Sequence, residues 1–318
     1  MTALVAHAGD HGALDGAGHG ARVLGREIAF QWILGGVVYL LVLGIVAAIV
    51  IRQVRRAPGT EPAPEDQRGH RWIWLGGIAL PLVAITAVVA VSARSLADVA
   101  HSHDPRYTVD VIGHRWWWEV RYGGHDVVTA NEVVLPVGEP VRVRLTTRDV
   151  IHSFWVPRLD RKLDMVPGRR NEMTLMAETP GSYQGVCAEF CGLEHARMRF
   201  EARAVPAREF QSWLRTAAEP AAEPTSELER AGRRVFLEGT CATCHTIEGT
   251  EAAGSVGPPL THLASRPKLA AGTVDNTPGN LAGWISDPQS IKPGAHMPGS
   301  TLRGDELQAL LAYLETLR

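Results

Sequence analysis

Two apolar runs, Trp32–Ile51 and Trp72–Ser92, dominate the hydropathy pattern of the chain and carry no charged residue. Each has about the twenty residues a helix needs to cross a hydrocarbon core. The pattern therefore predicts membrane helices over about 30–53 and 72–94, a hairpin occupying 28–96. Pro81 in the second run is tolerated in a membrane helix and predicts a kink. Arg52, Arg55, Arg56, Arg68 and Arg71 between the runs outnumber Arg22, Arg26 and Arg94 outside them. By the positive-inside rule the connecting loop is cytoplasmic and both ends lie outside, residues 1–27 forming an extracytoplasmic tail. Residues 1–20, rich in Gly, Ala and His, lack the basic stretch and apolar run of a signal peptide.

From 104 to 216 the period changes to two. Trp116, Trp118, Val120 and Tyr122 alternate with Trp117, Glu119 and Arg121, and Val141, Val143 and Leu145 alternate with Arg142, Arg144 and Thr146. Short alternating runs broken by Gly123-Gly124, Pro136-Val-Gly138 and Pro180-Gly181 predict an antiparallel sandwich or barrel. Pro206–Ala217 closes this region as a helix, with Phe210, Trp213 and Leu214 on one face. Residues 217–225 repeat Ala-Ala-Glu-Pro and predict a semi-extended linker. A helical domain fills 226–318. Ser226 and Glu229 form a capping box, Leu228, Ala231 and Val235 share one side of the helix it opens, and Leu307, Leu310, Leu311 and Leu314 stripe the last helix. The fold class is thus a multi-domain membrane protein: a two-helix transmembrane hairpin, an all-β domain, then an all-α domain.

A chain of 318 residues accommodates these parts, and a net charge of −2 gives no indication of nucleic acid. Only four cysteines occur, and both pairs sit in motifs with better uses than a structural disulfide.

The first motif is Cys187-Ala-Glu-Phe-Cys191-Gly-Leu-Glu-His195-Ala-Arg-Met198, with His152 upstream. Thiolate with thioether is a soft donor set that favours copper over magnesium or calcium. Cysteines four apart can both bridge a two-metal centre, with a histidine and a weak ligand completing each metal. A structural zinc knot or a disulfide competes, although zinc is not usually finished by methionine. The second motif, Cys241-Ala-Thr-Cys244-His245, is the c-type haem attachment pattern. The histidine that follows, and the lack of a βαβ pattern, disfavour a thioredoxin-like redox pair. His262, His296 and Met297 are candidates for the second face of the iron.

Asp149-Val-Ile-His-Ser-Phe-Trp-Val-Pro157, Val166-Pro-Gly-Arg169 and the cysteine loop together resemble subunit II of haem–copper cytochrome oxidases. The resemblance implies a cupredoxin Greek-key fold for 104–216 and a dinuclear CuA centre. It implies Cys187 and Cys191 as bridges, His152 and His195 as terminal ligands, Met198 as the weak ligand and the Glu189 carbonyl as the remaining contact. It implies further that the Glu189 side chain reaches a magnesium or manganese ion shared with subunit I, and that Trp116 is a surface residue where electrons come in. Met297-Pro-Gly299 resembles the methionine loop of class I cytochromes c, which makes Met297 the second axial ligand opposite His245. Gly257-Pro-Pro-Leu260 is similar to that family's loop beside the proximal histidine. Many subunits II carry a glutamate at the cytoplasmic start of the second helix. Gly69-His70-Arg71-Trp72 stands there in this chain, with Glu65 and Asp66 slightly earlier.

The expected function is the electron-input subunit of a terminal cytochrome c oxidase. It would sit in a bacterial inner membrane with its metal domains on the periplasmic face. Its partners would be the bilayer, subunits I and III, and an upstream c-type cytochrome or membrane donor. The competing functions are the equivalent subunit of a nitric oxide reductase and, from another class, a membrane-anchored copper-delivery protein.

Overall fold

The computed structural model describes residues 15–56, 67–100 and 104–318. The start of the predicted tail, and Glu65 and Asp66 of the connecting loop, lie outside them. The chain forms two units, Arg22–Ser102 and a second combining Met1–Ala21 with His103–Arg318.

The first unit is helical. α1 runs His19–Val54; α2, Gln67–Trp74, leads through a π-helical turn at Leu75–Ala79 into α3, Leu80–Ala100. Both helices outrun the apolar segments that predict them. Hydropathy marks the length that lipid covers, whereas Arg22, Arg26 and Glu27 are compatible with helical backbone beyond it. The Ser92 hydroxyl donates to Glu27 across 2.5 Å. The predicted disturbance at Pro81 takes the form of the π turn just ahead of it, where the Leu80 N–H bonds five residues back to the Leu75 carbonyl. Proline has no N–H and its ring crowds the carbonyl four residues earlier, so one residue of slack relieves the ladder.

The second unit opens with a β-sandwich. One sheet has the order β3-β2-β1-β5-β8 and the other β4-β10-β9-β6-β7. The strands are β1 Tyr107–His114, β2 Trp117–Tyr122, β3 Val127–Ala130, β4 Glu132–Pro136, β5 Val141–Thr147, β6 His152–Trp155, β7 Leu163–Met165, β8 Asn171–Leu175, β9 Gly181–Cys187 and β10 Arg199–Val205. The pairs are antiparallel except β1 with β5 and β10 with β4, which are parallel. Period two reports which face a residue occupies and is blind to strand direction, so alternation alone predicted a wholly antiparallel sandwich. Trp118, Phe154 and Phe200 fill the space between the sheets, with ring centroids 4.7–6.0 Å apart. On the outer side Glu119 is nonetheless buried, bonded to His114 at 2.9 Å and to Arg121. α4, Ala207–Ala217, seats Phe210 and Leu214 in the same core.

The last part is helical, with its own core. α5, Glu227–Glu238, starts at the predicted box: the Ser226 hydroxyl accepts from the Glu229 N–H, and the Glu229 carboxylate from the Ser226 N–H. Its buried face is carried by Gly232 and Phe236, while Leu228 is exposed. α6 is the single turn Cys241–Cys244, β11 Lys268–Leu269 and β12 Val274–Asp275 form a small hairpin, and α7 (Pro278–Ser286), α8 (Pro288–Ile291) and α9 (Gly304–Leu314) follow. Phe236 on α5 meets Tyr313 on α9 edge to face at 6.3 Å. The linker is tied to the helical domain where the Ala221 N–H donates to the Glu248 carbonyl at 3.0 Å, and at its end where Thr225 bonds the Glu229 carboxylate.

Candidate metal centres

The sandwich brings the first set of predicted ligands to one end. His152 opens β6, Cys187 closes β9, Cys191 lies in the following loop, His195 begins a 3-10 turn, and Met198 immediately precedes β10. The two sulfurs are 3.8 Å apart, far beyond the roughly 2 Å of a disulfide. Around Cys187 lie His152 Nδ1 at 3.9 Å and the Glu189 carbonyl at 3.2 Å. Around Cys191 lie His195 Nδ1 at 3.6 Å and Met198 Sδ at 3.8 Å. His152, both cysteines and Met198 are buried. The Cys191 hydrogen bond to Cys187, with help from His152, pushes the Cys187 thiol down to about 3 although burial opposes it. The neighbouring Cys187 sulfur and burial push Cys191 up. One proton thus leaves readily, and a second negative charge at this distance calls for a cation. The donors fit a copper pair: two thiolates to share, and one imidazole and one weak ligand for each metal.

Asp149 orients this site. Its Oδ1 bonds His152 Nε2 at 2.8 Å, fixing the ring so that Nδ1 faces sulfur. Its Oδ2 accepts the Arg115 N–H at 2.7 Å, in the turn that carries Trp116. The quoted motif contained Asp149 without a role; a carboxylate three residues before a ligand histidine was the available clue. Replacing it with alanine should lower copper affinity about 10–100-fold, as loss of a partner behind a metal-bound histidine does. Copper titration against a competing chelator measures this.

Trp116 departs from expectation. It is only 9% exposed, its indole N–H donates to the Cys191 carbonyl at 3.0 Å, and its ring lies 5.5 Å from the ring of His296. The helical domain covers it, so in this chain Trp116 is an interface residue rather than a surface one. Glu189 is half-buried and its neighbour Phe190 is exposed.

The second motif is equally ordered. His245 Nδ1 is 2.7 Å from the Pro258 carbonyl. A carbonyl only accepts, so that nitrogen carries the proton and Nε2 keeps its lone pair for a metal. Burial holds the imidazole below its usual range and therefore neutral. A Cβ on Gly257 would stand 2.5 Å from the same ring, so only glycine lets the Gly257–Leu260 loop lie against it. Cys241 and Cys244 are half-buried thiols, and Met297 packs against the domain core. Arg266 is buried with its Nε lacking a partner, as expected beside an acidic group such as a haem carboxylate. The donors fit a covalently held haem. Of the other axial candidates, His262 bonds the Arg318 carbonyl at 2.9 Å through Nδ1, and His296 is against Trp116.

Such a β-sandwich with a thiolate–imidazole cluster, joined to a CxxCH helical domain and two apolar helices, defines a membrane-anchored redox protein. Residues 124–205 match the family described as cytochrome c oxidase subunit II, periplasmic domain, and residues 229–318 match cytochrome c. Cytochrome c oxidase subunit 2 of Alkalihalophilus pseudofirmus is 34% identical over 314 residues, covering 96% of this chain and 90% of that protein. The same subunit of Bacillus subtilis is 29% identical, covering 85% and 81%. The crystal structure of the periplasmic domain of subunit II of cytochrome oxidase from Bradyrhizobium japonicum is 34% identical, with a TM-score of 0.35, covering 36% of this chain and 95% of that one. The chain belongs to the cytochrome c oxidase subunit II family. It is a subunit of an oxidoreductase complex of the inner membrane, a copper and haem protein that works with other oxidase subunits.

Proposed function

We propose that this chain is the electron-input subunit of a terminal cytochrome c oxidase. Electrons would pass from a haem covalently attached to Cys241 and Cys244, with His245 and Met297 as axial ligands, to a dinuclear CuA centre. They would leave for subunit I, where oxygen is reduced to water. His152, Cys187, the Glu189 carbonyl, Cys191, His195 and Met198 would hold the coppers. The observation that carries this is the pair of sulfurs 3.8 Å apart, each flanked by one imidazole Nδ1 and one weak donor. Bound copper and haem supply one-electron redox chemistry; the chain supplies rigidity. Ligands drawn from β6, β9, the loop after it and the approach to β10 are braced by Asp149 and the Trp116 indole, which limits reorganisation when charge arrives. Trp116 is the residue between the two domains at the point of electron input.

The Glu189 carboxylate is a hard oxygen donor suited to magnesium or manganese shared with subunit I. Phe190 and Leu193, 76% and 71% exposed on the same loop, offer apolar surface to a partner such as subunit I. Subunit III and an upstream cytochrome or membrane donor complete the assembly. Purifying the complex and recording optical and EPR spectra with oxygen uptake tests the whole reading. A mixed-valence copper spectrum, a c-type haem band and oxygen consumption are expected. A complex that consumes nitric oxide and not oxygen would refute the oxidase assignment.

The orientation has its own test. Both termini and both metal domains would face the periplasm. A tag placed after Arg56 should be shielded from an impermeant reagent in intact cells, and one after Arg318 should be labelled.

A further inference from the structure

Lys292 follows α8, between Ile291 and Pro293, and is 3% exposed. Lys162 and Lys268 are exposed. An ammonium has three N–H donors and accepts nothing. Lys292 Nζ donates to the carbonyls of Trp116 at 2.9 Å, Arg197 at 3.0 Å and Ala270 at 3.1 Å. The first two belong to the β-sandwich, in the turn between β1 and β2 and in the 3-10 turn before Met198. The third belongs to the helical domain, in the turn between β11 and β12. Beside it the Arg199 N–H donates to the Ala271 carbonyl at 3.1 Å. Ala270 and Ala271 are both left-handed, with φ of 51° and 57°. L-residues adopt that conformation at a cost; the Ala271 carbonyl is used across the boundary, and the Ala270 carbonyl holds the Lys292 ammonium within its own domain.

We infer that Lys292 is a clasp that fixes the helical domain on the β-sandwich, with His296 seated against Trp116. It is a positioning residue, acting on electron transfer through Trp116 and His296. A carboxylate partner would neutralise its charge in place. Backbone carbonyls instead bind the cation at positions set by the main-chain path of the turns at Trp116, Arg197 and Ala270, so its grip reads how those turns meet. Burial lowers the ammonium to about 8, with Glu194 opposing, so the cation persists at neutral pH. Backbone acceptors cannot be removed by evolution or by mutation. Loss of the lysine leaves the Trp116 and Arg197 carbonyls to find water, which they reach when the domains part. The kinetic consequence rests on the proposed transfer from haem to copper; the clasp itself does not.

The test compares wild type with Lys292→Met and Lys292→Gln in the full-length, metal-loaded complex. Hydrogen exchange is followed in peptides covering 190–199 and 268–275, with 141–147 and 305–314 as references inside each domain. Haem-to-copper transfer is followed after flash photoreduction. In the methionine variant the boundary peptides should exchange at least tenfold faster, a shift of about 1.4 kcal/mol. The reference peptides and both metal spectra should keep wild-type behaviour, and transfer should slow at least tenfold. Glutamine, with two N–H donors, should restore part of both. If methionine loosens the whole helical domain, the same comparison is made on the glutamine variant. Boundary peptides that exchange at the wild-type rate in a folded variant overturn the clasp. Released boundary peptides with unchanged transfer uphold the clasp and refute haem-to-copper donation through this contact.

Discussion

Replacing Cys187 or Cys191 with serine abolishes the mixed-valence copper spectrum and brings oxygen uptake by the complex to background. In the proposed centre each sulfur would serve both metals, so one substitution would remove a ligand from two ions at once. A hydroxyl is harder than a thiolate and stays protonated where a thiolate forms, so it does not sustain a shared charge. The other sulfur, 3.8 Å away, then has a single imidazole neighbour of its own and no partner across the pair. EPR of the purified complex should show a mononuclear pattern or none. Met198→Leu is the contrasting variant: copper stays while the potential moves, because a weak ligand tunes more than it holds. An unchanged mixed-valence spectrum in either serine variant removes the ligand assignment.

Ending the chain after Thr216 should leave the copper spectrum intact and slow oxidation of the natural donor at least tenfold. The sandwich and the helical domain have separate cores, so removing one does not empty the other. What is lost is proximity. A short linker keeps a bound partner at an effective concentration in the millimolar range, and the truncated subunit has to collect electrons by collision. The cut also uncovers Trp116, which makes it accessible to an outside donor. Stopped-flow reduction of the copper centre measures the result. A rate equal to that of the full-length complex would make the attached haem a side branch.

The candidate donor atoms were legible in the sequence because they are fixed by residue type. Cys187, Cys191, His195 and Met198 lie within twelve residues of sequence, and the CxxCH motif carries its own histidine. The braces were not legible. Asp149 acts through a turn contact and Lys292 through carbonyls about 95 and 176 residues away. A lysine before Pro-Gly has the local pattern of an exposed turn, and only the meeting of two domains buries it. The same meeting turns Trp116 from a surface residue into an interface one. Alternation found the faces of the strands but not the two parallel pairings, because direction depends on connections between distant strands. Glu119 breaks the inside–outside rule because His114, across the β1–β2 hairpin, and Arg121, two residues along the same strand, satisfy it in place.

The segment preceding α1 is stitched to the sandwich. Ala17 and Gly18 donate to the Arg158 carbonyl at 2.7 and 3.1 Å, Glu178 donates back to Ala17 at 2.9 Å, and Arg158 pairs with Asp15 across 143 residues. In a free chain, closing a loop of that length costs about 4 kcal/mol by its logarithmic term alone. A membrane hairpin returns the chain to the face from which it left, so both ends of that loop already share one side. In the proposed topology the bilayer would work as an assembly jig, and the same stitch would fix parity: any path through a membrane that keeps it must cross an even number of times.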